Sequence, residues 1–104
     1  MLRKNLETVY FFRVSVYNVN MKIWVKLMQE GKIKQQTVYE RQGQIVYSSF
    51  FDYLSEICSS LDVPTPVLLK THIFNYAKFN QVRFNKTDFV EEFPFDSLVL
   101  ENLL

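Results

Sequence analysis

Residues 21–41, MKIWVKLMQEGKIKQQTVYER, constrain the fold more than any other part of this chain. Ile23, Val25 and Leu27 alternate with Lys22, Trp24, Lys26 and Met28, and a strand turns successive side chains to opposite faces. Gly31 sits in a short polar break, so the segment reads as a β-hairpin with strands at about 22–28 and 33–40. The sorting of faces selects a register. A three-residue loop of Gln29, Glu30 and Gly31 pairs Leu27 with Ile33, Val25 with Gln35 and Ile23 with Thr37. It gathers Ile23, Val25, Leu27, Ile33, Thr37 and Tyr39 on one face, and leaves Lys22, Trp24, Lys26, Lys32, Lys34 and Gln36 largely on the other. A two-residue loop instead sets Lys34 and Gln36 against Leu27 and Val25, so the longer loop is the expectation.

A two-stranded hairpin needs further strands and a cover. Residues 8–17, TVYFFRVSVY, are β-branched and aromatic with regular alternation, and read as an N-terminal strand. Residues 49–61 read as a helix. Ser49 and Asp52 have the spacing of a capping box, and Phe50, Leu54, Ile57, Cys58 and Leu61 form an apolar stripe. Val63 before Pro64 ends it. A second helix spans about 66–79, with Thr65 as cap, Pro66 as its first residue, and Leu69, Ile73, Tyr76 and Phe79 at helical spacing. Leu98, Val99 and Leu100 suggest a late strand that joins the hairpin sheet. The predicted class is α+β: one domain over 1–104, its antiparallel sheet built on the hairpin and covered by the helices.

Several function classes find no footing. The chain has 104 residues and one Cys, so no intramolecular disulfide forms; a reducing, cytoplasmic setting is the natural reading. No stretch reaches the ~20 apolar residues of a membrane span, and no membrane partner is expected. Cys58 lies on the apolar stripe of the first helix and His72 in a run of Leu and Phe, so neither is set beside a partner for nucleophilic catalysis. Asp88, Glu91, Glu92, Asp96 and Glu101 cluster late but lack the alternating loop of a calcium site, and read as a solvated edge. No zinc spacing and no Gly-rich phosphate loop is present. The reading is a non-enzyme with no metal and no cofactor.

Charge is uneven although the net value is only +1. Residues 1–50 carry eight Lys and Arg against three acids, about +5, while residues 51–104 carry four against eight, about −4. The basic outer face of the hairpin, with Lys22, Trp24, Lys26, Lys32 and Lys34, is therefore the candidate binding face. Two ligands suit it. A protein partner or a second copy would cover Trp24, Met28 and Val38 if these lie outward. Nucleic acid would meet the lysines through its phosphates and Trp24 by stacking. The first is the leading expectation, a small interaction or accessory module with a homodimer as one of its forms; the second is the alternative.

The order of motifs after the hairpin adds a resemblance. The run FFDYLSEICSSLDVPTPVLLK, then NYAKF, VRFNKTDFVE and FDSLVLE, resembles small, functionally uncharacterised proteins of clostridia and related Gram-positive bacteria. The match covers roughly residues 21–101, and its most specific piece is the LDVPTP junction. It implies a bacterial cytoplasmic protein with one continuous domain, and transfers no catalytic residue. Residues 1–20 depart from that pattern: they are either an added strand or the product of a start upstream of Met21.

Overall fold

The computed structural model describes residues 19–104, and the strand expected at 8–17 lies outside them. Along the chain run β1 (Val19–Gln29), β2 (Lys32–Gln42), α1 (Phe50–Ser60), α2 (Lys70–Phe79), β3 (Gln81–Asn85) and β4 (Ser97–Asn102). The strands form one antiparallel sheet in the order β2-β1-β4-β3, so the fold is α+β. As the alternation in residues 21–28 dictates, Met21, Ile23, Val25 and Leu27 are buried while Lys22, Trp24, Lys26 and Met28 are only partly so.

The inner face carries the core. Ile23, Val25 and Leu27 of β1 join Val82 and Phe84 of β3, Leu98 and Leu100 of β4, and Phe50, Tyr53, Leu54, Ile57 and Cys58 of α1. Tyr76 of α2 closes on Phe50 edge-on at 5.3 Å, and His72 lies against Phe84 at 4.5 Å. The loop between β3 and β4 adds Phe89 stacked on Phe93 at 3.9 Å. At roughly 25 cal/mol per Å² of apolar surface removed from water, each of these large side chains is worth a few kcal/mol before conformational entropy is counted.

The hairpin register differs from the expected one. Gln29 pairs with Lys32 and Met28 with Ile33, after which the register shifts so that Leu27 meets Gln35, Val25 meets Thr37 and Ile23 meets Tyr39. The loop thus has two residues, Glu30 at φ 54° and Gly31 at φ 76°. Two successive positive φ values match the twist of the flanking strands, which is why such turns join hairpins. Glu is an unusual occupant, and it is held from outside: its N–H donates to Asp96 Oδ2 at 2.7 Å, and the Asp96 N–H donates to the Met28 carbonyl at 2.8 Å. A bulge at Lys34 absorbs the extra residue and restores the inward alternation beyond it. Ile33 consequently leaves the core row and is 40% exposed.

Both helices begin differently from the expectation. Ser49 makes no side-chain cap; the chain enters α1 through a 3-10 turn over Tyr47–Ser49, so Ser49 lacks the extended backbone a capping box uses. At the other end Asp62 takes φ 58°, its N–H donates to the Ser59 carbonyl, and the Val63 N–H donates to that of Cys58. This is a Schellman ending with Asp where Gly is usual. The second helix starts at Lys70 rather than 66, because the preceding segment stays extended and the Val67 N–H is taken by the Asp88 carbonyl at 2.8 Å. His72, not Thr65, serves its start: Nδ1 accepts the Leu69 N–H at 2.9 Å. Leu69 and Phe79, expected on the buried stripe, are 53% and 62% exposed.

Candidate functional site

Both helices pack on the inner face, so the outer face of the sheet is open among the described residues. Its rows follow from the register: Ile33, Gln36, Val38 and Glu40 on β2, then Lys22, Trp24, Lys26 and Met28 on β1. Ser97, Val99 and Glu101 follow on β4, then Gln81, Arg83 and Asn85 on β3. Lys22, Trp24 and Lys26 of the predicted binding face therefore stand together. Lys32 and Lys34 do not join them: Lys32 faces Gln29 on the opposite row, and Lys34 is the inserted residue of the bulge. The three-residue loop would have kept all five on one side; the bulge separates them.

The lysines that remain are matched by carboxylates. Lys26 Nζ lies 2.9 Å from Glu101 Oε1 and 4.2 Å from the centre of the Trp24 ring. Lys22 Nζ is 3.9 Å from Glu40, a looser and more exposed pair. Trp24 Nε1 donates to Gln36 Oε1 at 2.9 Å. Arg83 donates to Ser97 Oγ at 3.3 Å, and Val99, placed between Lys26 and Arg83, is 2% exposed. The face thus carries two apolar cross-strand pairs, Trp24 with Val38 and Met28 with Ile33, separated by the row of Lys26 and Gln36 and flanked by neutralised charge. Sequence reasoning named Trp24, Met28, Val38 and the outward Gln36 but missed Arg83, Glu101 and the outward Ile33. Glu101 was signalled by the alternation Leu98, Val99, Leu100, Glu101, once β4 is known to lie beside β1.

A second cluster ties β2 to α1. Tyr39 donates to Glu56 Oε1 at 2.5 Å, and Arg41 reaches both Tyr39 and Glu56 at 3.3 Å. Burial, and then the Glu56 carboxylate, push the Tyr39 phenol upward from its ordinary value. The neighbouring Tyr53 hydroxyl accepts the Val46 N–H at 3.1 Å, so this end of the molecule is fastened by aromatic hydroxyls.

The residues weighed for chemistry are occupied by structure. Cys58 is fully buried, and burial pushes its thiol up to about 11, which suppresses the nucleophilic thiolate. His72 Nδ1 is taken by the Leu69 N–H, which places the proton of the neutral ring on Nε2, 3.8 Å from Asp88 Oδ2. The late acids are less of a solvated edge than expected. Asp88 accepts the Asn85 N–H at 2.8 Å, Asp96 braces the hairpin turn, and Glu101 pairs with Lys26; Glu91 and Glu92 remain exposed. Among the described residues no three His, Cys, Asp or Glu side chains converge on a point that would hold a metal ion. Two shallow grooves, of about 520 and 350 Å³, lie beside Ser59 and Glu91 and beside Phe79 and Arg83, and neither is lined by Cys58 or His72. No helix among the described residues is long and apolar enough to cross a membrane. Compared with known protein families, curated proteins and solved structures, the chain matches none of them.

Proposed function

We propose that this chain is a non-catalytic protein-interaction module that binds through the outer face of its sheet, in the cytoplasm. The observation that carries the reading is the two apolar pairs, Trp24 with Val38 and Met28 with Ile33, on a sheet face that no helix covers among the described residues. Aromatic and Met side chains are enriched at interface cores, and a polar rim like Lys22, Lys26 and Glu101 is the usual surround. The non-catalytic part rests on the buried Cys58 and on the capping role of His72. Protein is favoured over nucleic acid because Lys22 and Lys26 each face a carboxylate, and Lys32 and Lys34 stand away from them. Phosphate binding gains its affinity from uncompensated cations.

The test is a photoreactive phenylalanine analogue placed at Trp24 and, in a control, at Val90, which is 89% exposed in the loop between β3 and β4. Discrete protein adducts from position 24, and none shared with position 90, are the expected result. Absence of any site-specific adduct overturns the reading. Labelled DNA and RNA titrated at two salt concentrations address the other ligand: salt-sensitive binding lost in Lys22→Ala and Lys26→Ala would favour nucleic acid.

A further inference from the structure

The strand at the rim of that face has an edge of its own. Among the described residues β2 is the outermost strand, 11 residues long, whereas the opposite rim, β3, has only five. A strand at the rim presents a row of unpaired N–H and C=O groups. Charge guards only its ends: Lys32 and the bulged Lys34 at one, Glu40 and Arg41 at the other. The centre, Gln35, Gln36, Thr37, Val38 and Tyr39, is uncharged and carries neither proline nor bulge. An uncharged, β-prone edge of this kind invites another strand.

We propose that the occupant is the β2 strand of a second copy, paired antiparallel about a two-fold axis through Val38, so that two four-stranded sheets become one of eight. This deepens the interaction reading and rests on it. A two-fold axis perpendicular to the sheet keeps inner rows opposite inner rows, which restricts the registers. Centring on Val38 uses the whole regular stretch from Gln35 to Arg41 in both copies. It sets Gln35 across from Arg41, Gln36 from Glu40, Thr37 from Tyr39, and Val38 from its own counterpart. No like charges meet, and an amide stands opposite a charged group on each side of the axis. Val38, 46% exposed in one copy, is covered by the other. The axis also sets the Trp24–Val38 pairs of the two copies next to each other on the outer face. Closed two-fold pairing consumes both long edges and leaves only β3 at the ends, so it stops at two copies.

The experiment uses the full chain. Light scattering from low micromolar to near millimolar concentration is expected to show a species of twice the 12.5 kDa chain mass. Val38→Lys places two ammonium groups face to face and weakens the association by roughly tenfold or more. Since Val38 is outside the core, its thermal unfolding stays close to that of the parent chain. Val38→Cys, mildly oxidised, gives a disulfide-linked dimer, because residues directly opposed across antiparallel strands lie within bridging reach. Ile33→Cys, on the same face but far from the axis, does not, and the buried Cys58 stays silent in both. A monomer at every concentration overturns the proposal. Equal cross-linking of the two cysteine variants does so as well. A monomer that still yields Trp24 adducts with a different protein defeats self-pairing alone; loss of the Trp24 adducts defeats the broader reading.

Discussion

The two faces of the sheet share one backbone and are held by different physics. On the inner face Ile23, Val25 and Leu27 are fully buried against α1 and β4, and their contribution is apolar burial at high packing density. One residue along, Lys22, Trp24 and Lys26 are fixed by a hydrogen bond, two ion pairs and a cation–π contact at a surface that water reaches. Such contacts specify geometry while adding little net stability. The contrast teaches where change is tolerated: the outer face is free to serve recognition because the inner face supplies the stability.

The sharpest way to break that comparison is Phe84→Ala. The ring is fully buried and packs on His72, so its loss should cost about 3–5 kcal/mol in denaturant unfolding. A cost under about 1 kcal/mol would mean the inner face is not the seat of stability. Alkaline pH probes the same face without mutation. Burial raises the Cys58 thiol from 9.0 to about 11 and the Tyr76 phenol from 10.0 to about 12. Both groups bind their protons more tightly folded than unfolded, so the stability they contribute is complete below about pH 9 and is lost as pH climbs through 11 and 12. The urea midpoint should fall steadily across that window, and Cys58→Ala should delay the onset; a flat profile to pH 11 contradicts the burial of both.

Intermediate effects fall where local structure meets the core. His72→Ala removes the acceptor for the Leu69 N–H and the contact with Phe84, and should cost about 1–2 kcal/mol, with faster amide exchange in the first turn of α2. Gly31→Ala meets no neighbour within 4 Å, so only its backbone at φ 76° resists, at about 1 kcal/mol. The smallest effect belongs to the outer face. A double-mutant cycle on Lys26 and Glu101 should return a coupling of about 1 kcal/mol or less, shrinking with added salt. A coupling as large as the Phe84 loss would erase the distinction between the faces.

Much of this was legible before the structure. The alternation through residues 21–28 sorted the faces of β1 correctly, and the stripe of Phe50, Leu54, Ile57 and Cys58 located the buried side of α1. Leu98 to Leu100 marked β4 and its place in the hairpin sheet. β3 was not legible, since only Val82 and Phe84 point inward in a five-residue strand and so short a pattern has no period to detect. The start of α2 was misread because Thr65 and Pro66 satisfy the local rules for a helix start, while the Asp88 carbonyl, 21 residues from Val67, holds the segment extended. Of the candidate face, Lys22, Trp24 and Lys26 were legible from parity. Lys32 and Lys34 were not, because a single bulge reverses the parity of everything on its far side.

The sequence by itself determined which residues are inward along β1 and α1, because burial there follows a local period of two or of three to four. Tertiary structure alone decided the register of β2, the partners of Lys22, Lys26 and Trp24, and the openness of the outer face. Each of these depends on contacts between segments far apart in the chain. Asp96 steadies the positive φ of Glu30 from 66 residues away, and Glu101 reaches Lys26 across 75. No window of neighbouring residues contains both members of such a pair, and it is these pairs that set which side chains remain available to a partner.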